Sequence, residues 1–377
     1  MSGTVGGTWD SRAGARAAGP LAGLVSLDDV ERRAHELLEP GPLAFFAGGA
    51  GDEHTMAEGR AAWQRWHLLP RMLVDVSGTT TRTTVLGREI SMPVLVAPFS
   101  LCHLAHPDGV RGVARAAAAA GTIACISTLA DASPGQCAQA APGGARWFQA
   151  YWYGKDKGLT RALVELAAAA GCEAIALTVD TPRLSRRERD LRAGWLPPAD
   201  MEVPSLREAS GGALGRPADL IARLDDTTTW RDFEELAAWS PIPVVAKGVL
   251  HPEDARIAAA SGARAVIVST HGGRQLDETP AALDLLPECV DAVAGAAEVL
   301  LDSGVRRGSH VVKALALGAR AVLVGRPAVW GLAVAGEAGV AHVLETLRVE
   351  TDLCLALLGA TSPAAVGREH LRPAAGR

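Results

Sequence analysis

The stretch Val266–Asp277, VIVSTHGGRQLD, decides the fold and much of the chemistry. A β-branched apolar run stops abruptly at Ser269, Thr270 and His271, then passes through two glycines to Arg274. Apolar runs of this kind read as buried strands. A strand ending here carries Ser269 and His271 to its C-terminal mouth. Gly272 and Gly273 let the backbone approach a ligand closely. Arg274, three residues beyond the histidine, sets a planar cationic fork beside a titratable imidazole. That pairing suits an anionic substrate that must also lose a proton.

Working outward, the same pattern recurs. Apolar runs lie at 92–98 (MPVLVAP), 122–127 (TIACIS), 145–151 (ARWFQAY) and 174–180 (AIALTVD). They continue at 243–249 (PVVAKGV), 263–269 (ARAVIVS), 298–304 (EVLLDSG) and 319–325 (ARAVLVG). Ala/Leu-rich segments of helical composition separate them, as at 109–120, 157–170, 253–261 and 308–317. Most intervals are about 20 to 35 residues, one β-α unit each. Eight repeats predict an α/β fold, a closed (β/α)8 TIM barrel. An open doubly wound sheet is the alternative, but its usual GxGxxG after the first strand is missing. The interval between the fourth and fifth runs is about twice the others, and a loop of that size is commonly a lid. Within it, 195–229 has no clear period, and it leaves from the active-site face of such barrels. The N-terminal segment 26–75, with a capped helix start at Ser26–Asp29, is expected to cover the barrel bottom or edge.

A chain of 377 residues with 48% hydrophobic content can bury a large core. The formal charge of −5 leaves no basic footprint for nucleic acid. Six scattered cysteines without a CxxC pair read as free thiols in a reducing compartment, with neither disulfides nor a metal site. No uninterrupted apolar run approaches the ~18 residues of a membrane span. Residues 1–25 lack a secretory core and read as a disordered leader, so a cytoplasmic location is expected. A single domain is expected over 26–365, with 366–377 as a tail.

The strand ends collect polar groups: Ser127, Gln149 and Tyr151, Thr178 and Asp180, Lys247, Ser269 and His271, Asp302 and Arg306, then Gly325 and Arg326. Such a ring is what a ring-shaped cofactor needs. Lys247 emerges from the apolar PVVA, where desolvation of an ammonium is costly, so it requires a delocalised anion or strong acceptor. The loops DSGVRRG and GRP follow the last two strands, the recurrent phosphate site of these barrels. There, glycine N–H groups and an arginine can hold a dianion. Taken alone, that last feature fits any phosphate-binding barrel.

Together, FFAGGAGDEHT (45–55), LPRML, LAHPDG, WFQAYWY, LTVDTPRLSRRERDLR, VVAKGV, VSTHGGRQLD, LLDSGVRRGSHVVKALALGARAVLVGRP and GEAGVAHVL carry a family resemblance. From about Ser26 to Ala365 the chain resembles the FMN-dependent α-hydroxy acid oxidases and dehydrogenases, the group that includes glycolate oxidase, lactate oxidase and mandelate dehydrogenase. The resemblance implies bound FMN. It makes His271 the active-site base, Asp180 its paired carboxylate, and Arg187 and Arg274 the holders of the substrate carboxylate. Tyr151 matches the tyrosine near the substrate oxygen and Lys247 the lysine beside flavin N1. Ser127, Gln149, Thr178 and Ser269 match flavin-ring contacts. Asp302, Ser303, Gly304, Arg306, Gly325 and Arg326 match the ribityl and phosphate contacts. Pro98, Phe99 and Ser100 match the first-strand segment under the ring. A homo-oligomer, commonly a tetramer, is implied too, with exposed apolar positions of 328–358 supplying contacts.

Several positions depart from the family pattern. Phe45 stands where many members carry a tyrosine, and Leu129 where glycolate-type members carry a tryptophan. Phe99 replaces a smaller residue, Gly59 a common asparagine, Thr270 the asparagine before the histidine, and Ser303 the first glycine of DGG. The catalytic set is intact and the pocket walls are altered. The expected reaction is oxidation of an (S)-2-hydroxy acid to a 2-oxo acid, with O2 accepting the electrons to give H2O2. The acid is expected to be larger than glycolate, mandelate-like or long-chain. The alternatives are a dehydrogenase using another acceptor, a tailoring flavoenzyme acting on a larger substrate, and a non-catalytic binding protein. Whether the proton leaves carbon or the hydroxyl is open.

Overall fold

Eight short strands close into a barrel. In the computed structural model, which describes residues 19–374, they are β1 (Val94–Val96), β2 (Ala124–Ser127), β3 (Arg146–Ala150) and β4 (Ala174–Thr178), followed by β5 (Val244–Val249), β6 (Ala265–Val268), β7 (Glu298–Leu301) and β8 (Ala321–Val324). Each pairs in parallel with the next, and β8 returns to β1 with Val322 beside Val94 and Val324 beside Val96. The fold is therefore the (β/α)8 barrel, not the open sheet. Helices Gly109–Ala119, Lys157–Ala169, Pro252–Ala260 and Gly308–Ala316 occupy the intervals with helical composition.

Strand residues alternate between two destinations, as a period of two requires. Val94, Val96, Ile126, Phe148, Leu177 and Val268 join the layer between strands and helices. Leu95, Cys125, Trp147, Ala176, Val245, Ile267, Leu300 and Leu323 form a separate core inside the barrel. Val85 and Ile90 complete that core from an antiparallel ribbon, Thr83–Val85 with Arg88–Ile90. The ribbon covers the end where strands begin, because the Leu86 amide donates to Glu298, the first residue of β7. Two residues beyond the inner apolar layer come Ser127, Gln149, Thr178, Lys247, Ser269, Asp302 and Gly325. The alternation that packs the barrel thus delivers a polar or glycine position to the opposite mouth from seven of the eight strands, β1 supplying Ala97.

Helix Leu27–Leu37 begins at the expected cap, where Ser26 Oγ accepts from the Asp29 amide and the Asp29 carboxylate accepts from Ser26 N. The expectation that 26–75 covers the bottom or edge needs correction for helix Pro40–Ala47. Its last carbonyls, lacking intrahelical partners, accept from arginines of the C-terminal mouth: Phe45 O and Gly48 O from Arg274, Phe46 O from Arg326. The leader expected over 1–25 lies outside the described residues through 18. Residues 19–25 include a 3-10 turn, Gly19–Leu21, and Leu21 and Leu24 pack on the core. The tail expected over 366–377 is also partly structured, since Leu371–Pro373 pairs antiparallel with Trp66–Leu68.

The chain's longest helix, Arg326–Leu358, is apolar and long enough by composition to cross a membrane, yet it is two helices. Ala335 and Gly336 break it with non-helical angles. Gly331 and Gly339 then meet backbone to backbone, and a Cβ on Gly339 would lie 1.8 Å from Gly331 O. Trp330, Leu332, Val340 and Leu347 are buried against the barrel, so the expectation of exposed apolar contacts along 328–358 fails for them. Leu357 is exposed.

Candidate active site

His271 and Asp180 meet at the mouth. Nδ1 of the imidazole lies 3.0 and 3.1 Å from the two Asp180 oxygens. Donation of Nδ1–H to the carboxylate leaves the Nε2 lone pair for the cavity, the tautomer a base needs. Burial works to raise the Asp180 pKa, but His271, Lys247 and a bond from the Thr181 hydroxyl hold it below the ordinary carboxylate range. A bulge in β5 at Lys247–Val249 makes room for this carboxylate. Gly248 sits there at φ +106°, and a Cβ would fall 2.3 Å from Asp180 Cγ. His271 itself has φ +54°, a left-handed backbone uncommon for residues with side chains.

The strand-end ring is hydrogen-bonded into a floor. Ser127 Oγ donates to Gln149 Oε1 at 3.2 Å, and Gln149 Nε2 donates to Thr178 Oγ1 at 2.9 Å. Lys247 Nζ lies 2.9 Å from Asp302 Oδ2 and donates to Ser269 Oγ at 3.2 Å. Burial lowers the affinity of Lys247 for its proton, and Asp302 with Asp180 more than restores it, so the ammonium persists. Ser269 accepts from Lys247 and from the His271 amide at 3.0 Å. It ties the lysine to the histidine's backbone. Pro98, Phe99 and Ser100 line the cavity above β1.

At the far end of the same cavity stand Ser303, Gly304, Arg306, Gly325 and Arg326. Arg306 is buried. Its Nη1 donates to Val305 O at 2.9 Å, while its Nε is 3.5 Å from Glu31 and has no hydrogen-bond partner among the described residues. Glu31 left no signal in the sequence pattern. Arg326 differs from expectation, because its guanidinium donates to the carbonyls of Phe46, Gly48 and Gly272. Burial and the nearby Arg306 charge bring its pKa down to about 10. Gly304, at φ +83°, presses on Gly59, whose carbonyl would lie 1.8 Å from an added Cβ.

Arg187, Arg274, Tyr151, Phe45 and Leu129 line the remaining part. Burial and then the neighbouring Arg187 push the Arg274 guanidinium well below its ordinary pKa. Arg187 Nε is buried without a hydrogen-bond partner among the described residues. Two desolvated cations side by side call for an anion. The Phe45 ring lies 5.2 Å from Arg274 Cζ and 5.5 Å from the Trp195 ring, so Phe45 forms a wall with no hydroxyl. Leu184, Pro197, Pro217 and Ile221 close the cavity from the β4–β5 connection. The length of that connection marked a lid, but its lack of periodicity hid which residues face inward.

These donors fit FMN. A polar floor with a buried lysine suits an electron-accepting ring, and a buried arginine with an unpartnered Nε beside a glycine loop suits its phosphate. The FMN-dependent dehydrogenase family model matches residues 34–373. An L-lactate oxidase of Nostoc sp. is 46% identical over 345 residues, covering 89% of this chain and 94% of that protein. Glycolate oxidase 1 of Zea mays is 47% identical over 333 residues, covering 87% and 90%. A solved mandelate oxidase variant with (S)-mandelic acid superposes with TM-score 0.85 at 41% identity, covering 94% of this chain and 99% of that one. A family model over residues 34–373 and relatives at 46–47% identity agree, and the chain is a member of the FMN-dependent dehydrogenase family.

Proposed function

We propose that this protein oxidises (S)-2-hydroxy acids larger than glycolate to 2-oxo acids, with O2 as the electron acceptor and H2O2 as the product. The observation that carries the reading is the His271–Asp180 pair opening onto the same cavity as two half-buried, desolvated arginines. Arg187 and Arg274 would hold the carboxylate through charge-assisted hydrogen bonds. Tyr151, whose phenol burial keeps protonated, would donate to the substrate oxygen. His271 would take a proton through Nε2, and Asp180 would stabilise the imidazolium that results. Lys247 would supply fixed positive charge, and Ser127, Gln149, Thr178, Pro98, Phe99 and Ser100 would seat the ring. Gly304, Arg306, Gly325 and the loop bearing Ser303 would hold the phosphate arm, with Asp302 and Arg326 bracing it. Bound FMN supplies a two-electron acceptor for the substrate's hydride equivalent.

The preference for larger acids rests on the walls. Phe45 offers no hydroxyl to the carboxylate, while Leu129, Phe99, Leu184 and Ile221 present apolar surface. Burying such surface against a phenyl or alkyl group gains about 25 cal/mol per Å². The mandelate oxidase similarity supports the same direction. Comparing kcat/KM for glycolate, lactate, 2-hydroxyoctanoate and mandelate tests it, and a clear preference for glycolate would refute it. Substrate-reduced flavin that air-saturated buffer fails to reoxidise, with no peroxide released, would refute the oxidase assignment.

We place the protein in the cytoplasm as a homo-oligomer, with a tetramer favoured by the family resemblance. Six free cysteines support a reducing compartment. The exposed Met72, Leu73, Val74 and Leu357 offer apolar surface of the kind interfaces use. A single sedimenting species at the 39.0 kDa chain mass would exclude assembly.

A further inference from the structure

Three consecutive amides carry His271, and each donates to a serine hydroxyl. Thr270 N reaches Ser303 Oγ at 3.2 Å, His271 N reaches Ser269 Oγ at 3.0 Å, and Gly272 N reaches Ser303 Oγ at 3.1 Å. Ser269 is a neighbour in the same turn. Ser303 arrives from another loop, after β7, so its bonds cross from one strand end to the next. The Thr270 hydroxyl also donates to Ser303 Oγ at 2.9 Å, and that oxygen passes its own proton to Asp302 Oδ1 at 2.7 Å. Asp302 Oδ2 in turn holds Lys247. Thr270 and Ser303 both depart from the family pattern, and the two departures touch each other.

The backbone makes the same point independently. Ser303 has φ +78° and His271 φ +54°, both in the left-handed region that residues with side chains adopt only when surroundings enforce it. A glycine at 303 would adopt that conformation freely, so the side chain is retained against a conformational cost. Its one side-chain polar atom faces the two amides flanking His271, the Thr270 hydroxyl and Asp302.

We propose that Ser303 is the positioning residue for His271, its hydroxyl fixing the left-handed turn that presents the imidazole and coupling it to the Asp302–Lys247 pair. The proposal rests on the reading of His271 as the base, and its test separates the two.

The test compares FMN-loaded wild-type protein with Ser303→Ala and Ser303→Gly. Hydrogen exchange by mass spectrometry follows the amides of 269–273, anaerobic stopped-flow follows flavin reduction by mandelate, and thermal melts follow stability. Both variants lose the hydroxyl, but only glycine relieves the strained backbone, so Ser303→Gly should melt higher than Ser303→Ala. Both should exchange faster over 269–273. Both should reduce flavin more slowly by about threefold to tenfold, to the same extent and with apparent acid Kd little changed, the rates being read on fully FMN-loaded protein. Unchanged exchange in both variants would overturn the proposal, as would rates that follow the melting order instead of the hydroxyl. If His271→Ala reduced flavin at the wild-type rate, the functional reading would fail, while faster exchange in Ser303→Ala would still support the brace.

Discussion

Replacing Arg274 by lysine separates what the guanidinium does for the substrate from what it does for the fold. Nη1 of Arg274 donates at 2.7 Å to both Phe45 O and Gly48 O, the free carbonyls closing helix Pro40–Ala47. The rest of the planar group is left for the acid beside Arg187. A lysine offers its three donors from a single point, so it cannot serve both directions at once. Losing one charged hydrogen bond to the carboxylate costs about 1.5–3 kcal/mol, roughly a tenfold to hundredfold rise in Kd. The helix-end carbonyls lose a further ~1–2 kcal/mol of stability if the ammonium turns toward the acid. Anaerobic stopped-flow with mandelate reads the two effects apart, because the concentration dependence of flavin reduction yields Kd and the limiting rate separately. The expected result is a raised Kd, a limiting rate within a few-fold of wild type, and a lower urea midpoint. An unchanged Kd would refute the assignment of Arg274 to the carboxylate.

His271→Ala should slow flavin reduction by on the order of 10²–10⁴-fold while the protein stays yellow, and wild-type reduction in that variant would remove the base assignment. Phe45→Tyr should improve affinity for glycolate, lactate and mandelate by similar factors, because it acts on the carboxylate they share; gains confined to one acid would contradict this. His310 stacks on Trp63 at 4.6 Å and accepts from the Arg306 amide, and burial with nearby Lys313, Arg306 and Arg307 lowers its pKa to about 3. Its unfolded value is about 6.5, so the unfolded chain binds the extra proton first. This contribution is complete above pH 6.5 and erodes as pH falls toward 3, the loss amounting to about 2 kcal/mol at pH 5. Urea midpoints at pH 5 and 7.5 should differ by more in the wild type than in His310→Asn, and equal differences would contradict the argument.

What was legible in the sequence follows from how local each signal is. The strands announce themselves because an apolar run is its own evidence, and the runs 92–98 through 319–325 contain the eight barrel strands. The polar residue at each strand end was legible for the same reason, since a period of two places it without knowledge of neighbours. His271 and Asp180, 91 positions apart, required the family resemblance. Contacts made by backbone left no trace. Helix Pro40–Ala47 comes to the mouth because its carbonyls suit Arg274 and Arg326, and neither arginine shows that in its own neighbourhood. Ser303 shows in the sequence only as the replacement for a glycine of DGG, because the amides its hydroxyl faces, around His271, lie on another loop. Trp330 and Leu332 looked available for assembly because an apolar helix does not declare which surface it covers.

The four arginines of the cavity also decide which solutions suit the protein. Arg187, Arg274, Arg306 and Arg326 line one cavity, Arg306 buried and the others half-buried, and Arg274 and Arg326 are each disfavoured by desolvation and by a neighbouring guanidinium. FMN phosphate and the acid's carboxylate relieve that repulsion when present. Without them, any small oxyanion in the buffer is a surrogate counter-charge that binds the folded chain and stabilises it by mass action. Sulfate or phosphate should therefore protect the apoprotein during preparation, and the same salts should compete with the hydroxy acid in assays. Purification and kinetics call for opposite choices of buffer anion.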